Sequence, residues 1–137
     1  MQYVKAFIGG FVATLIFHQG LYTLIYLADP TGLSVPFNMA ATSPLGIPSV
    51  LSLAFWGGVW GIPIWWLIRN AVGAQYWIRA AVLGAIGPSA LALLVIFPMK
   101  GLEVNAKIVV GALILNAAWG IGLALFIRLA KAKPIAD

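Results

Sequence analysis

Long apolar runs, not short alternations of apolar and polar residues, dominate the chain. Four are long enough to matter: about Val4 to Leu27, Val50 to Ile68, Trp77 to Phe97 and Ile108 to Ile127. A helix needs about 20 apolar residues to cross about 30 Å of hydrocarbon. Backbone groups in lipid must bond within their own segment, which a helix achieves and a lone strand does not. The pattern predicts an all-α membrane protein, a four-helix transmembrane bundle in one domain over residues 1–137. The links Asn70–Tyr76 and Pro98–Lys107 are short and force antiparallel neighbours. The link from Ala28 to Ser49 is longer. Asp29-Pro30-Thr31-Gly32 is a turn signal, and Pro36, Pro44 and Pro48 exclude a long helix there. Its apolar residues, among them Leu33, Phe37, Met39 and Ile47, predict a segment that folds back onto the bundle mouth or lies in the membrane interface. Pro48-Ser49 suits a helix start. The first run is read as a mature helix and not a signal peptide. It is long enough to span, and bulky Tyr26 stands where a cleavage site wants a small residue.

Composition removes the soluble alternative. Hydrophobic residues make up 63% of the chain and charged residues 8%, against roughly 45–50% and 25% in soluble domains. The missing solvent is lipid. The formal charge of +5 does not imply nucleic acid, because the basic residues are scattered. They read as topology signals and as contacts to anionic lipid, Lys5, Arg69, Arg79 and Arg128 above all. With four spans both termini share a side. That side carries Lys5, Arg69, Arg79, Arg128, Lys131 and Lys133, and the other only Lys100 and Lys107. The positive-inside rule then makes both termini cytoplasmic. So uneven a split argues against dual topology.

The chain also echoes itself. Trp60-Gly61-Ile62 returns as Trp119-Gly120-Ile121, and Ile68-Arg69 returns as Ile127-Arg128 at the same spacing. Lys5-Ala6 matches Arg79-Ala80, and Gly10 matches Gly84 in the same register. The echo reads as two repeated helical hairpins in one orientation, related by an axis along the membrane normal. Coincidence among common residues is the alternative.

Small residues four apart recur on the spans: Gly57 with Gly61, Ala118 with Gly122, Ala80 with Gly84, and Gly9 with Ala13. Such stripes let helices approach closely. They either pack this bundle or form a docking face for another subunit, and on the docking reading Gly57→Leu or Gly61→Leu disrupts association. Of the tryptophans, Trp65, Trp66 and Trp77 fall where an interfacial aromatic belt forms, while Trp56, Trp60 and Trp119 are expected to pack deeper.

Polar residues on the spans are the candidates for chemistry. His18, the only histidine, lies about 20 Å along the helix from Lys5. Thr14, His18 and Tyr22 share a face, and Gln19 adjoins them. An ionisable residue within a membrane is a functional candidate. The plainer expectation is a neutral imidazole bonded across the bundle, with Asn116 as its partner. Asn116 lies mid-way along the fourth run and Gly87-Pro88-Ser89 mid-way along the third. Pro88 and Pro63 each remove a helix bond, so a break or kink is expected at both, with Asn116 or Ser89 serving the freed carbonyl. Broken helices at mid-membrane occur in transporters and in ordinary packed bundles.

What is absent narrows the function. No carboxylate lies within a run: Asp29 and Glu103 fall in outer links and Asp137 ends the chain. Ion-coupled carriers usually need intramembrane acids. There is no cysteine, no paired acid for proton transfer, no Ser-His-Asp arrangement and no cluster of metal-ligand residues. The chain is therefore not expected to be an enzyme, nor to hold a metal or cofactor. The segments F-H-Q in the first run and G-I-P-S-V-L-S-L-A-F-W-G-G-V-W-G entering the second resemble those of a group of short, uncharacterised four-span proteins of bacterial inner membranes. The resemblance implies the four-helix layout and that membrane, and carries no activity. The leading expectation is a non-enzymatic packing or accessory subunit, partnered by the lipid bilayer and by itself or a larger membrane complex. A small channel or carrier for a neutral or anionic solute is the alternative, its path lined by His18, Gln19, Asn116 and the Pro88 kink. A quinone or haem contact at His18 is a third reading. A low-spin haem usually wants two strong axial ligands, which one histidine does not supply.

Overall fold

A computed structural model describes residues 1–131. Lys133, counted above among the basic residues, and Asp137, named above among the carboxylates, lie outside the described residues. Among the described residues, four helices are long and apolar enough to cross a membrane: α1 Gln2–Ala28, α2 Ser49–Ile68, α3 Gly73–Met99 and α4 Ala106–Lys131. By length and composition this is a multi-pass membrane protein. The helices run somewhat past the apolar limits of the sequence. At the end of α3, Gly101 adopts a left-handed φ of 67°. It lets Gly101 N–H reach the Pro98 carbonyl at 3.1 Å and Leu102 N–H reach the Phe97 carbonyl at 2.9 Å, the paired bonds of a glycine-closed helix end. α4 then opens on Asn105, whose side-chain oxygen accepts from Ile108 N–H at 3.0 Å.

The expected breaks at Pro63 and Pro88 do not occur. α2 stays helical through Pro63 and α3 through Pro88. A membrane helix tolerates proline when neighbouring helices and short polar side chains serve the freed backbone. The irregular turns lie elsewhere. Thr14–His18 in α1 and Ala92–Ile96 in α3 each widen into a π-helical turn.

α1 packs on α2 and on α4, and α3 packs on α4. α2 and α3 touch far less, although only a short link joins them. Trp119, Ile68 and Leu123 are the bulkiest apolar side chains fully enclosed between the helices. Trp65 is also buried, at 7% exposure, whereas Trp56 is 56% exposed. The deep placement expected for Trp56 is therefore corrected: it faces outward, and Trp65 takes an inner position. Ile78, Ile86, Leu94 and Trp66 face outward too. Such an apolar exterior suits lipid, where packing between helices rests on van der Waals fit and not on exclusion of water.

The segment between α1 and α2 folds back toward α1. Tyr22 Oη donates to the Ser34 carbonyl at 2.8 Å, and Gln19 Oε1 accepts from Phe37 N–H at 2.8 Å. Phe37 has a φ of 52°, a left-handed conformation costing an L residue about 1–2 kcal/mol. The bond from buried Gln19 offsets that cost. A two-stranded hairpin, β1 Ala41–Thr42 with β2 Ile47–Pro48, then leads into α2.

Candidate functional site

The five polar candidates on the spans do not form one cluster. They divide into three hydrogen-bonded groups. The first is at the α1 turn that widens. Thr14 Oγ1 donates to the Gly10 carbonyl at 2.9 Å, and Trp119 Nε1 reaches across from α4 to the same carbonyl at 3.0 Å. The second lies toward the far end of α1. His18 Nδ1 and Gln19 Nε2 are 3.3 Å apart, and the other amide atom of Gln19 holds Phe37. The third joins α3 to α4, where Asn116 Nδ2 donates to Ser89 Oγ at 2.9 Å. The expected bond between His18 and Asn116 is thus replaced. His18 pairs with the residue next to it, and Asn116 pairs with Ser89. Among the described residues, Trp65 Nε1 is the only buried side-chain polar atom without a partner.

The small residues create close helix approaches within the chain. A Cβ on Gly61 would strike the Ala6 carbonyl oxygen and come within 3.2 Å of Gly10 Cα. A Cβ on Gly120 would strike the Ala80 carbonyl oxygen and come within 3.2 Å of Gly84 Cα. These are the same contact made twice. An offset of 74 residues carries Ala6 and Gly10 onto Ala80 and Gly84, and one of 59 carries Gly57 and Gly61 onto Asn116 and Gly120. A Cβ on Gly57 would strike Thr14 Oγ1, and one on Gly84 would stand 2.9 Å from the Asn116 carbonyl oxygen. Gly57 and Gly61 therefore face α1. Gly122 lies against the Phe17 ring of α1, and Ala118 is only half-buried.

The stripe on α4 that meets α3 is Asn116–Gly120. A search for small residues four apart misses it because Asn116 is not small. The signal that finds it is the echo itself, which pairs Gly61 with Gly120. Trp119 as the tie to Gly10 was not expected either. Nor was the Tyr76 hydroxyl, which donates to the Ala124 carbonyl at 2.7 Å and pins the start of α3 to α4.

Cationic side chains gather at the end where α2 meets α3. The Arg69 guanidinium stacks 4.9 Å from the Trp66 ring centre and 5.9 Å from that of Trp65. Arg128 stacks 5.1 Å from Tyr76 and 5.4 Å from Trp77. Two arginines at the 59-residue offset are thus both held over aromatic faces. Lys5 is half-buried, while Arg79 is exposed. At the opposite end Lys107 Nζ lies 3.8 Å from Asp29 Oδ2. Asp29 also accepts from Thr31 N–H at 3.0 Å, and bonds from Thr31 hold its carboxyl below the ordinary value, with Lys107 adding to the effect.

Two outward-facing grooves accompany these groups. One, about 320 Å³, lies between α3 and α4 and is lined by Ile86, Ser89, Leu93, Leu94, Val109 and Leu113. The other, about 360 Å³, lies between α2 and α3 and is lined by Leu67, Ile78, Arg79, Val82 and Leu83. Neither is lined by His18, Gln19 or Asn116. Comparisons with protein-family models, with curated proteins and with solved structures give no match.

Proposed function

We propose that the chain is a four-helix transmembrane bundle of two duplicated hairpins, with both termini cytoplasmic in a bacterial inner membrane. It serves there as a non-enzymatic packing or accessory subunit of a membrane assembly. One observation carries this reading. Among the described residues the buried polar side chains of the spans, Thr14, Gln19 and Ser89, are all engaged in bonds within the chain, and only Trp65 Nε1 is left without a partner. Groups that act on a substrate or pass a solute are normally left available to it. The repeated contact at Gly61 and Gly120 supports the duplication. The uneven distribution of basic residues supports the orientation. Because the chain lacks cysteine, single cysteines at Lys5 and Glu103 report orientation directly. An impermeant maleimide added to intact spheroplasts labels Glu103→Cys and spares Lys5→Cys; the reverse pattern removes the orientation. For the role, the protein expressed at its native level is extracted in a mild detergent and run on a native gel. A discrete assembly well above one 14.6 kDa chain is expected, and migration as one chain with its detergent removes the accessory reading.

A small channel or carrier remains the second reading, and the wide turns favour it. π-helical turns are frequent at functional sites, and Thr14–His18 places the only histidine on one. This reading requires a solute flux into liposomes that His18→Ala abolishes, and no flux above empty vesicles counts against it.

A further inference from the structure

The two hairpins meet along two seams, α1 with α4 and α2 with α3. The 74- and 59-residue offsets make these seams equivalent, yet only one is closed. In the α1–α4 seam the Phe126 ring sits on Gly9, 2.8 Å from where a Cβ would stand, with Leu123 at 3.1 Å. Trp119 bonds to the Gly10 carbonyl beside it. The same offsets carry Gly9 onto Leu83 and Phe126 onto Leu67. Two leucines thereby stand in the α2–α3 seam where its counterpart has a ring seated on a glycine. Trp60, the twin of Trp119, instead lies against Gly87, 3.0 Å from where its Cβ would stand. Leu67 and Leu83 both line the groove of about 360 Å³ between α2 and α3. Its remaining walls are Ile78 and Val82, and Arg79 stands among them.

The chemistry of this groove selects its occupant. The walls are aliphatic and open sideways, where an acyl chain lies alongside a spanning helix. Arg79 is exposed and in no ion pair among the described residues, where the single ion pair is the distant Lys107–Asp29 contact. Arg69 and Arg128 add positive charge at the same end, held in place over aromatic rings. Asp29 and Glu103, the carboxylates among the described residues, lie at the opposite end. A headgroup phosphate supplies the missing counter-charge, and a headgroup with no net charge does not. We propose that the α2–α3 groove is a specific site for one anionic phospholipid, an acyl chain along Leu67, Val82 and Leu83 and the phosphate at Arg79. The proposal stands apart from the accessory-subunit reading and is tested on the purified chain.

The test is native mass spectrometry of the full chain with equal amounts of phosphatidylglycerol and phosphatidylcholine bearing the same acyl chains. One retained phosphatidylglycerol adduct is expected, in preference to phosphatidylcholine. Arg79→Gln lowers its occupancy about five-fold, the factor expected for one basic residue at an anionic headgroup. Val82→Trp, which fills the groove, removes the adduct. Lys107→Gln, at the far end, leaves it unchanged. Both substituted groove residues are exposed, and helicity by circular dichroism checks each fold; Arg79→Gln alone decides if Val82→Trp misfolds. Equal retention of the two lipids, undiminished phosphatidylglycerol in Arg79→Gln, or a dimer in place of the lipid adduct overturns the proposal.

Discussion

Gly120→Ala puts the repeated helix contact to its hardest test. A methyl group at this position would overlap the Ala80 carbonyl oxygen. It would also come within 3.0 Å of the Ala80 carbonyl carbon and 3.2 Å of Gly84 Cα, where ordinary contact begins at 3.4 Å. Every obstructing atom is backbone, so no side chain can rotate away, and α3 and α4 must separate. Overpacking of this kind costs about 1–3 kcal/mol. A rigid obstruction argues for the upper half of that range, and separation also weakens the Asn116–Ser89 and Tyr76–Ala124 bonds between the same helices. The change from glycine to alanine returns up to about 1 kcal/mol of helix propensity. The net expectation is a loss of about 1–2 kcal/mol. Gly111 is the internal control. It lies on the same helix, and a Cβ there would meet nothing within 4 Å, so Gly111→Ala leaves stability unchanged or raises it by up to about 1 kcal/mol. The two variants therefore differ by about 2 kcal/mol, roughly a 30-fold difference in the folded-to-unfolded ratio. Reversible unfolding in mixed detergent micelles, titrated with dodecyl sulfate and followed by far-ultraviolet circular dichroism, measures that difference. Gly61→Ala matches Gly120→Ala in loss, since it meets the same set of atoms one hairpin earlier. Agreement of Gly120→Ala with Gly111→Ala to within about 0.5 kcal/mol, the scatter of harmless surface changes, would refute the reasoning.

Asn116→Ala and Ser89→Ala, combined in a double-mutant cycle, yield a coupling of about 0.6 kcal/mol, the average for hydrogen bonds between membrane helices, and at most about 1.7 kcal/mol; a coupling near zero shows that the bond contributes nothing. Gln19→Leu frees the Phe37 amide, and hydrogen exchange measured by mass spectrometry accelerates in the segment around Phe37 while α3 and α4 remain protected. Equal exchange in variant and parent means that Gln19 does not hold the loop. The Asp29 carboxyl titrates below the ordinary value of 3.8 because Thr31 bonds to its ionised form. The stability it contributes is present above that value and is lost as pH falls through the lower midpoint of the folded state. Thr31→Ala raises that midpoint, read from the carboxyl carbon shift by nuclear magnetic resonance, and an unmoved midpoint assigns the shift to other groups.

The number and extent of the helices were legible because lipid imposes a length and a composition that no soluble segment needs. The four-residue spacing marked Gly57 with Gly61 and Ala80 with Gly84, but the α4 side of the interior contacts was legible only through the echo. The same spacing suggested Ala118 with Gly122 as the α4 stripe, whereas Gly120 meets α3 and Gly122 meets Phe17 of α1. Two faces of one helix serve two neighbours, and which small residue goes to which face depends on the rotation of α4, which no local spacing encodes. The polar pairs failed to emerge for a related reason. His18 and Asn116 are both polar residues within spans, but a hydrogen bond also requires the same depth and facing directions, and closer groups satisfied each of them: Gln19 for His18, Ser89 for Asn116. The proline breaks were overestimated because the rule for a soluble helix interior ignores what neighbours provide in a membrane.

The two hairpins differ where they meet. The intrahairpin approaches at Gly61 and Gly120 keep the same partners. At the seams the hairpins do not match: Leu83 stands at the position of Gly9 and Leu67 at that of Phe126. An exact two-fold arrangement would close both seams or neither. A closed pair leaves no lateral opening, and an open pair lacks the Phe126 and Trp119 contacts that hold hairpin to hairpin. With one seam closed and one open, the chain keeps a fixed joint on one side and presents a lipid-facing groove on the other, beside Arg79. The difference between the two seams, and not the likeness of the two hairpins, is thus what sets this groove apart from the closed side.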